Sequence, residues 1–195
     1  MKAFLISALL LFGVSGTPVR ARTHRNGDVS GAIARSAAYD RAIRDAAARN
    51  AVDPRLIWTI AYLESRFRPG LVSPKGARGM MQFMPATGRT YGLLSRRDLH
   101  DPVRSIEAAA KYVSYLNKLF PERIDLILAA YNAGENSVIS SGYRVPHYRE
   151  TRGYVSRGRS LLARMPSPKM FSFEPIQQTQ ATLRDKQGLP GTDTN

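Results

Sequence analysis

The chemistry open to this chain centres on Glu64. Asp53-Pro54 is a helix start, with Asp53 placed to cap and Pro54 at the first helical position. Counting from there, Ile57, Ile60, Ala61 and Glu64 fall at i, i+3, i+4 and i+7, one face of an amphipathic helix. Three of the four are apolar and the fourth is a carboxylate. Burial disfavours the ionised form of a carboxyl, so Glu64 is expected to titrate high and to hold a proton near neutrality, as a general acid must. The competing expectation is a frayed last turn that lets Glu64 reach solvent.

Several elements must position that carboxyl. Residues 37–50, rich in Ala and Arg, are expected to form a first helix, and the Asp53 helix follows. Residues 68–78 read as a loop, punctuated by Pro69, Gly70, Pro74 and Gly76. Pro85 opens a short helix running toward Tyr91-Gly92. Asp101-Pro102 repeats the capping signal, and Val103, Ile106, Ala110, Val113, Leu116 and Phe120 hold helical spacing after it. A short apolar helix over 124–133 should stop at Gly134 in a left-handed cap. A last helix is expected over 149–162. No segment alternates convincingly with period two, so the expected class is all-α, with a minimal hairpin at most and a groove between helices.

The 195 residues suffice for one domain with a hydrophobic core, assigned to 35–164. Lys2 followed by an apolar run to Val14 has the form of a secretory signal, assigned to 1–21 and too short for a confident membrane span. An uncleaved anchor is the alternative. Residues 22–34 are polar and read as a linker. Residues 165–195 carry four prolines, four glutamines and no apolar period, and read as a largely disordered tail.

The 29 Lys and Arg against 15 Asp and Glu give a net charge of +14, which favours a polyanionic partner. Export makes nucleic acid a poor candidate and favours the cell envelope, which places the protein in the periplasm. Without cysteine there is neither a disulfide framework nor a thiolate metal site. His24, His100 and His147 have no ligand spacing, so no metal and no cofactor are expected.

Three blocks then line up: Glu64-Ser65-Arg66-Phe67, the stretch from Ser73 through Gly79-Met80-Met81-Gln82 to Met84-Pro85, and Ala129-Ala130-Tyr131-Asn132-Ala133-Gly134 with Glu150-Thr151-Arg152-Gly153-Tyr154 beyond it. In this order and spacing, over residues 50–157, they resemble the family 1 soluble lytic transglycosylases, whose catalytic domain is related to goose-type lysozyme. The resemblance implies a lysozyme-like fold and a peptidoglycan glycan strand as substrate. It implies Glu64 as the single acid/base, Gln82 as a sugar hydrogen-bonding residue and Ser73 beside the reacting N-acetylmuramoyl group. Met84 becomes a groove wall, Tyr131 and Asn132 the motif facing the glutamate, and Tyr154 the tyrosine of the last helix. Met80 stands where the family has Leu, which preserves apolar bulk.

The residues give an independent argument. Most glycosidases flank the scissile bond with two carboxylates. Between Glu64 and Asp98 there is no Asp or Glu, although Asp98, Asp101 or Glu135 can still arrive through the fold. A lone carboxyl suits a route in which the substrate's own C6 hydroxyl attacks C1 and leaves a 1,6-anhydro ring. The rivals are a hydrolytic lysozyme and a non-catalytic wall-binding scaffold. Among relatives, small exported enzymes of this shape often serve secretion or conjugation systems, whose components are the expected protein partners of what should be a monomer.

Overall fold

A computed structural model of the chain describes residues 25–165, with side-chain surroundings from residue 30 onward. The signal read over 1–21 and the tail read beyond Met165 lie outside the described residues. Those described are helical with connecting loops: α1 (Arg25–Ala37), α2 (Asp40–Arg49), α3 (Pro54–Ser65), α4 (Pro85–Thr90), α5 (Arg96–His100), α6 (Pro102–Leu119), α7 (Ile124–Ala133), α8 (Glu135–Ser140) and α9 (Arg149–Leu162). The only pairing of extended chain among them is two isolated antiparallel bridges, Val72 with Arg78 and Arg78 with Phe83. The all-α expectation holds, and among the described residues those bridges are all there is of a hairpin.

The caps explain the boundaries of the long helices. Asp53 accepts from the Arg55 backbone N–H at 2.9 Å and Asp101 from that of Arg104 at 3.0 Å, each with proline at the next position. Each aspartate thus satisfies a donor that the first helical turn would leave unpaired. α7 is apolar nearly all round, so it lies at the centre, packed on α6, α8 and α9. Its Leu126 to Ala130 are buried, and they meet Ile57, Ile60 and Ala61 of α3 and Ile106, Val113 and Leu116 of α6 in one core. Gly158 lets α9 approach: a Cβ there would stand 2.7 Å from Leu128 Cδ1.

Several sequence expectations need correction. The polar stretch read as a linker over 22–34 is helical from Arg25, as α1. Its Ala32 is fully buried, and Arg35 Nε donates to the Arg66 carbonyl at 3.0 Å. Tertiary contact therefore outweighs polar composition. The helix expected over 37–50 begins only at Asp40, after a break that separates it from α1. Gly134 does not cap in the left-handed helical region. At φ 84°, ψ 145° it is an extended glycine link that starts α8 at the next residue. α5 and α8 were not foreseen.

Candidate active site

The carboxyl of Glu64 sits in the last turn of α3, and that turn is closed. Arg66 and Phe67 adopt left-handed φ of 54° and 61°, and Arg66 N–H returns to the Tyr62 carbonyl at 3.0 Å. Two such residues in succession are unfavourable for L side chains. They are held because Phe67 turns back into the core, fully buried, with its ring 5.1 Å from that of Trp58. Ser65 Oγ donates to the Met80 carbonyl at 2.7 Å, which ties the same turn to the following loop. The frayed alternative is thereby excluded.

Glu64 is partly buried, and its carboxyl is surrounded by protein. The Tyr154 hydroxyl donates to Glu64 Oε1 at 2.8 Å. Burial pushes the acid up, the Tyr154 hydrogen bond pulls it down by favouring the ionised form, and nearby Glu150 pushes it up again. Together they raise its pKa from 4.5 to about 8. The position adds to this, because a carboxylate at a helix C-terminus faces the negative end of the dipole. At neutral pH the group is an acid.

The loop over 66–84 is pinned on three sides. Tyr131 Oη donates to the Met81 carbonyl at 3.0 Å, and Arg78 and Phe83 exchange backbone hydrogen bonds at 2.9 and 3.1 Å. Gly79, at φ 76°, lies directly under α5: a Cβ there would stand 1.8 Å from the Leu99 carbonyl oxygen. Gln82 is itself left-handed at φ 49°, and its Nε2 donates to the Gly79 carbonyl at 2.8 Å. That commitment leaves the amide oxygen for a ligand. Gln82 and Met84 line a cleft with Phe83, Thr87, Tyr112, Tyr131 and Asn132. Asn132 is 6% exposed, and Thr151 Oγ1 donates to its Oδ1 at 2.8 Å, so its Nδ2 is the donor left for the cleft.

Of the residues singled out in the sequence, Tyr154 touches Glu64, and the Tyr131 phenol is raised by burial and then by the nearby Glu64 charge. Gln82, Met84, Tyr131 and Asn132 meet at the cleft. Ser73 is in neither set. Its Oγ accepts from the Ala77 N–H at 2.9 Å, bracing the turn at Gly76. Asp98 and Asp101 cap helices, and Glu135 accepts from the Tyr112 hydroxyl at 3.0 Å. The carboxylate that acts on Glu64 is Glu150, which the sequence offered only as part of a motif. Thr151 was missed as well. Burial and then the Glu64 charge raise the Tyr154 phenol well above its ordinary value, with Arg157 acting the other way. Among the described residues, no three His, Asp or Glu side chains gather as metal ligands, and no helix is long and apolar enough to cross a membrane.

An all-helical domain with one raised carboxyl beside a cleft has the lysozyme-like architecture of the soluble lytic transglycosylases. The model of the transglycosylase SLT domain matches residues 41–150, and the chain belongs to that family. It is 35% identical over 102 residues to membrane-bound lytic murein transglycosylase F of Stutzerimonas stutzeri, covering 49% of this chain and 20% of that one. It is 31% identical over 133 residues to membrane-bound lytic murein transglycosylase D of Escherichia coli K12, covering 60% of this chain and 29% of that one. The 70-kDa soluble lytic transglycosylase of Escherichia coli superposes with a TM-score of 0.60 at 28% identity, over 64% of this chain and 23% of that chain. A 70-kDa soluble lytic transglycosylase in complex with bulgecin A is also similar (TM-score 0.59, 29% identity, 65% of this chain and 24% of that chain covered). An inactive Glu-to-Gln variant of Slt from Pseudomonas aeruginosa is a further neighbour (TM-score 0.56, 29% identity, 63% and 23% covered). This chain thus spans under a third of the length of these relatives.

Proposed function

We propose that this protein is a peptidoglycan lytic transglycosylase that cleaves the β-1,4 bond between N-acetylmuramic acid and N-acetylglucosamine and leaves a 1,6-anhydro-N-acetylmuramic acid end. The observation that carries the reading is Glu64, an acid raised to about 8 and held by Tyr154. Protonated Glu64 donates to the glycosidic oxygen as the C1–O bond breaks. The carboxylate so formed accepts a proton from the C6 hydroxyl, whose oxygen bonds to C1. Glu64 ends protonated and no water is consumed. The Tyr154 hydrogen bond favours the ionised form that must exist between the two steps, and burial restores the acid. Gln82 Oε1 and Asn132 Nδ2 supply an acceptor and a donor for sugar groups, and Met84 an apolar wall. Ser73 contributes by shaping the loop, with its hydroxyl proton left for the muramoyl side of the substrate.

Lytic murein transglycosylases among the relatives, and a related enzyme inactivated by a Glu-to-Gln change, support this assignment. The basic and apolar start of the chain supports export to the periplasm. Opening the wall for a secretion or conjugation apparatus fits an exported wall-cleaving domain and belongs to the same reading.

Glu150 favours one rival, a hydrolytic muramidase in which a second carboxylate would activate water. Digestion of purified sacculi separates the two by product mass, the anhydro product being lighter by one water. Glu64→Gln is expected to lower release roughly a thousandfold. Hydrolysed ends from the unmutated protein would select the muramidase, and near-normal activity of Glu64→Gln would remove both.

A further inference from the structure

Beyond the cleft stands a cluster of titratable groups that the proposed reaction does not use. Tyr112 lines the cleft and is 3% exposed. Its ring centroid lies 5.0 Å from that of Tyr91 and 6.4 Å from that of Tyr115, which is 43% exposed. The Tyr112 hydroxyl donates to Glu135 Oε2 at 3.0 Å. Burial raises the Tyr91 phenol above its ordinary value, and the Glu135 charge adds to that rise. Asp53, Asp98, Glu107 and Asp125 each hold an arginine. Glu135 holds no cation among the described residues, in a chain with almost twice as many basic as acidic side chains. It is a partly buried carboxylate with one oxygen engaged by a neutral donor and no cationic side chain paired with it.

Such a charge is best satisfied by a cation. An ammonium group brings three donors and no acceptor, which suits a carboxylate beside phenol oxygens, and tyrosine rings also attract cations. Resting on the transglycosylase reading, we propose that Glu135, held by Tyr112 and close to Tyr91, is a subsite for the free amine of the diamino acid in a peptide stem, so that the enzyme selects strands whose stems carry that amine. The cluster adjoins the cleft through Tyr112, which both lines it and holds Glu135. Glu135 is also the first residue of α8, where a negative charge favours the helix. That role alone would alter stability and leave ligand choice untouched.

The test is binding to the full chain carrying Glu64→Gln, which separates it from turnover. The probes are a stem-bearing disaccharide with a free diamino-acid amine and the same compound N-acetylated at that amine, both titrated by calorimetry. Acetylation is expected to weaken binding about tenfold, the scale of one partly exposed charge-assisted hydrogen bond. Adding Glu135→Gln should bring the two affinities together, while Glu135→Asp should keep part of the difference. Equal affinities for the two probes, no binding of either, or a difference that survives Glu135→Gln would each overturn the proposal. Failure of the transglycosylase reading would appear separately, as absence of anhydro product from the protein with Glu64 intact.

Discussion

Glu64 and Asp98 are carboxylates at opposite kinds of helix end. Glu64 stands in the last turn of α3, where the dipole is unfavourable to negative charge, and one phenol is its hydrogen-bonding partner. Asp98 stands in the first turn of α5 and is 7% exposed. It accepts from the backbone N–H groups of Leu94 and Ser95, both at 2.9 Å, in a capping box with Ser95, and pairs with Arg104 at 2.7 Å. Asp98 is buried and Glu64 partly so. Donors and a guanidinium leave Asp98 below its ordinary value, whereas Glu64 rises to about 8. Burial alone therefore does not make an acid catalyst; burial with few donors does.

The two regions are mechanically joined, because α5 lies on the loop that carries Gln82 and Met84. Gly79→Ala, which sets a methyl group against the Leu99 carbonyl in a left-handed conformation, is the most damaging change expected here. It should destabilise the fold by about 3 kcal/mol or more and abolish sacculus cleavage, read by thermal melting and product release. A near-normal melt would mean that α5 and the loop move apart at little cost.

Tyr154→Phe separates the phenol from burial. Loss of a hydrogen bond that favours ionised Glu64 should raise its pKa further and move the basic limb of the pH–rate profile upward. The rate should fall roughly 10- to 100-fold. A downward shift of that limb would show that Tyr154 holds the protonated form instead.

Stability separates the two carboxyls through a pair of variants. The folded chain holds the Glu64 proton between 4.5 and about 8, where the unfolded chain has released it, so this group lowers stability as pH rises across that window. Glu64→Gln should thus melt higher by roughly 5 °C at pH 8 and no higher at pH 4. Asp98 has the opposite sign. Its lowered pKa contributes stability above the ordinary 3.8, which is lost as pH falls through the folded value. Asp98→Asn should melt lower at neutral pH, converge with the parent in strong acid and leave the pH–rate profile in place.

Much of this was legible in the sequence where a local rule had a local cause. Asp-Pro pairs announce α3 and α6 because the cap and the fixed proline φ act within one turn. α7 and α9 keep the expected bounds. The apolar face of Ile57, Ile60 and Ala61 is buried, and Glu64 follows it into protein. α5 was missed although Ser95 and Asp98 spell a capping box, since five residues carry too little periodicity to be noticed. α1 and α8 depend on contacts from elsewhere in the chain. The site shows the same division. The phenol partner of Glu64 came from family order, whereas Thr151 on Asn132 and Glu150 near Glu64 emerge only when α9 packs against α7 and α3. Ser73 and the Gln82 amide nitrogen turn inward to brace the loop, a use that residue type alone does not reveal.

Catalysis as proposed requires Glu64 to be protonated at neutral pH and available as an acid. The direct measurement is the titration of its side-chain carboxyl by carbon-13 NMR in the full chain, assigned by comparison with Glu64→Gln. A midpoint near 8, moving higher in Tyr154→Phe, is the predicted result. A midpoint near 4.5 would mean an ionised carboxylate at neutral pH and would remove Glu64 as the acid.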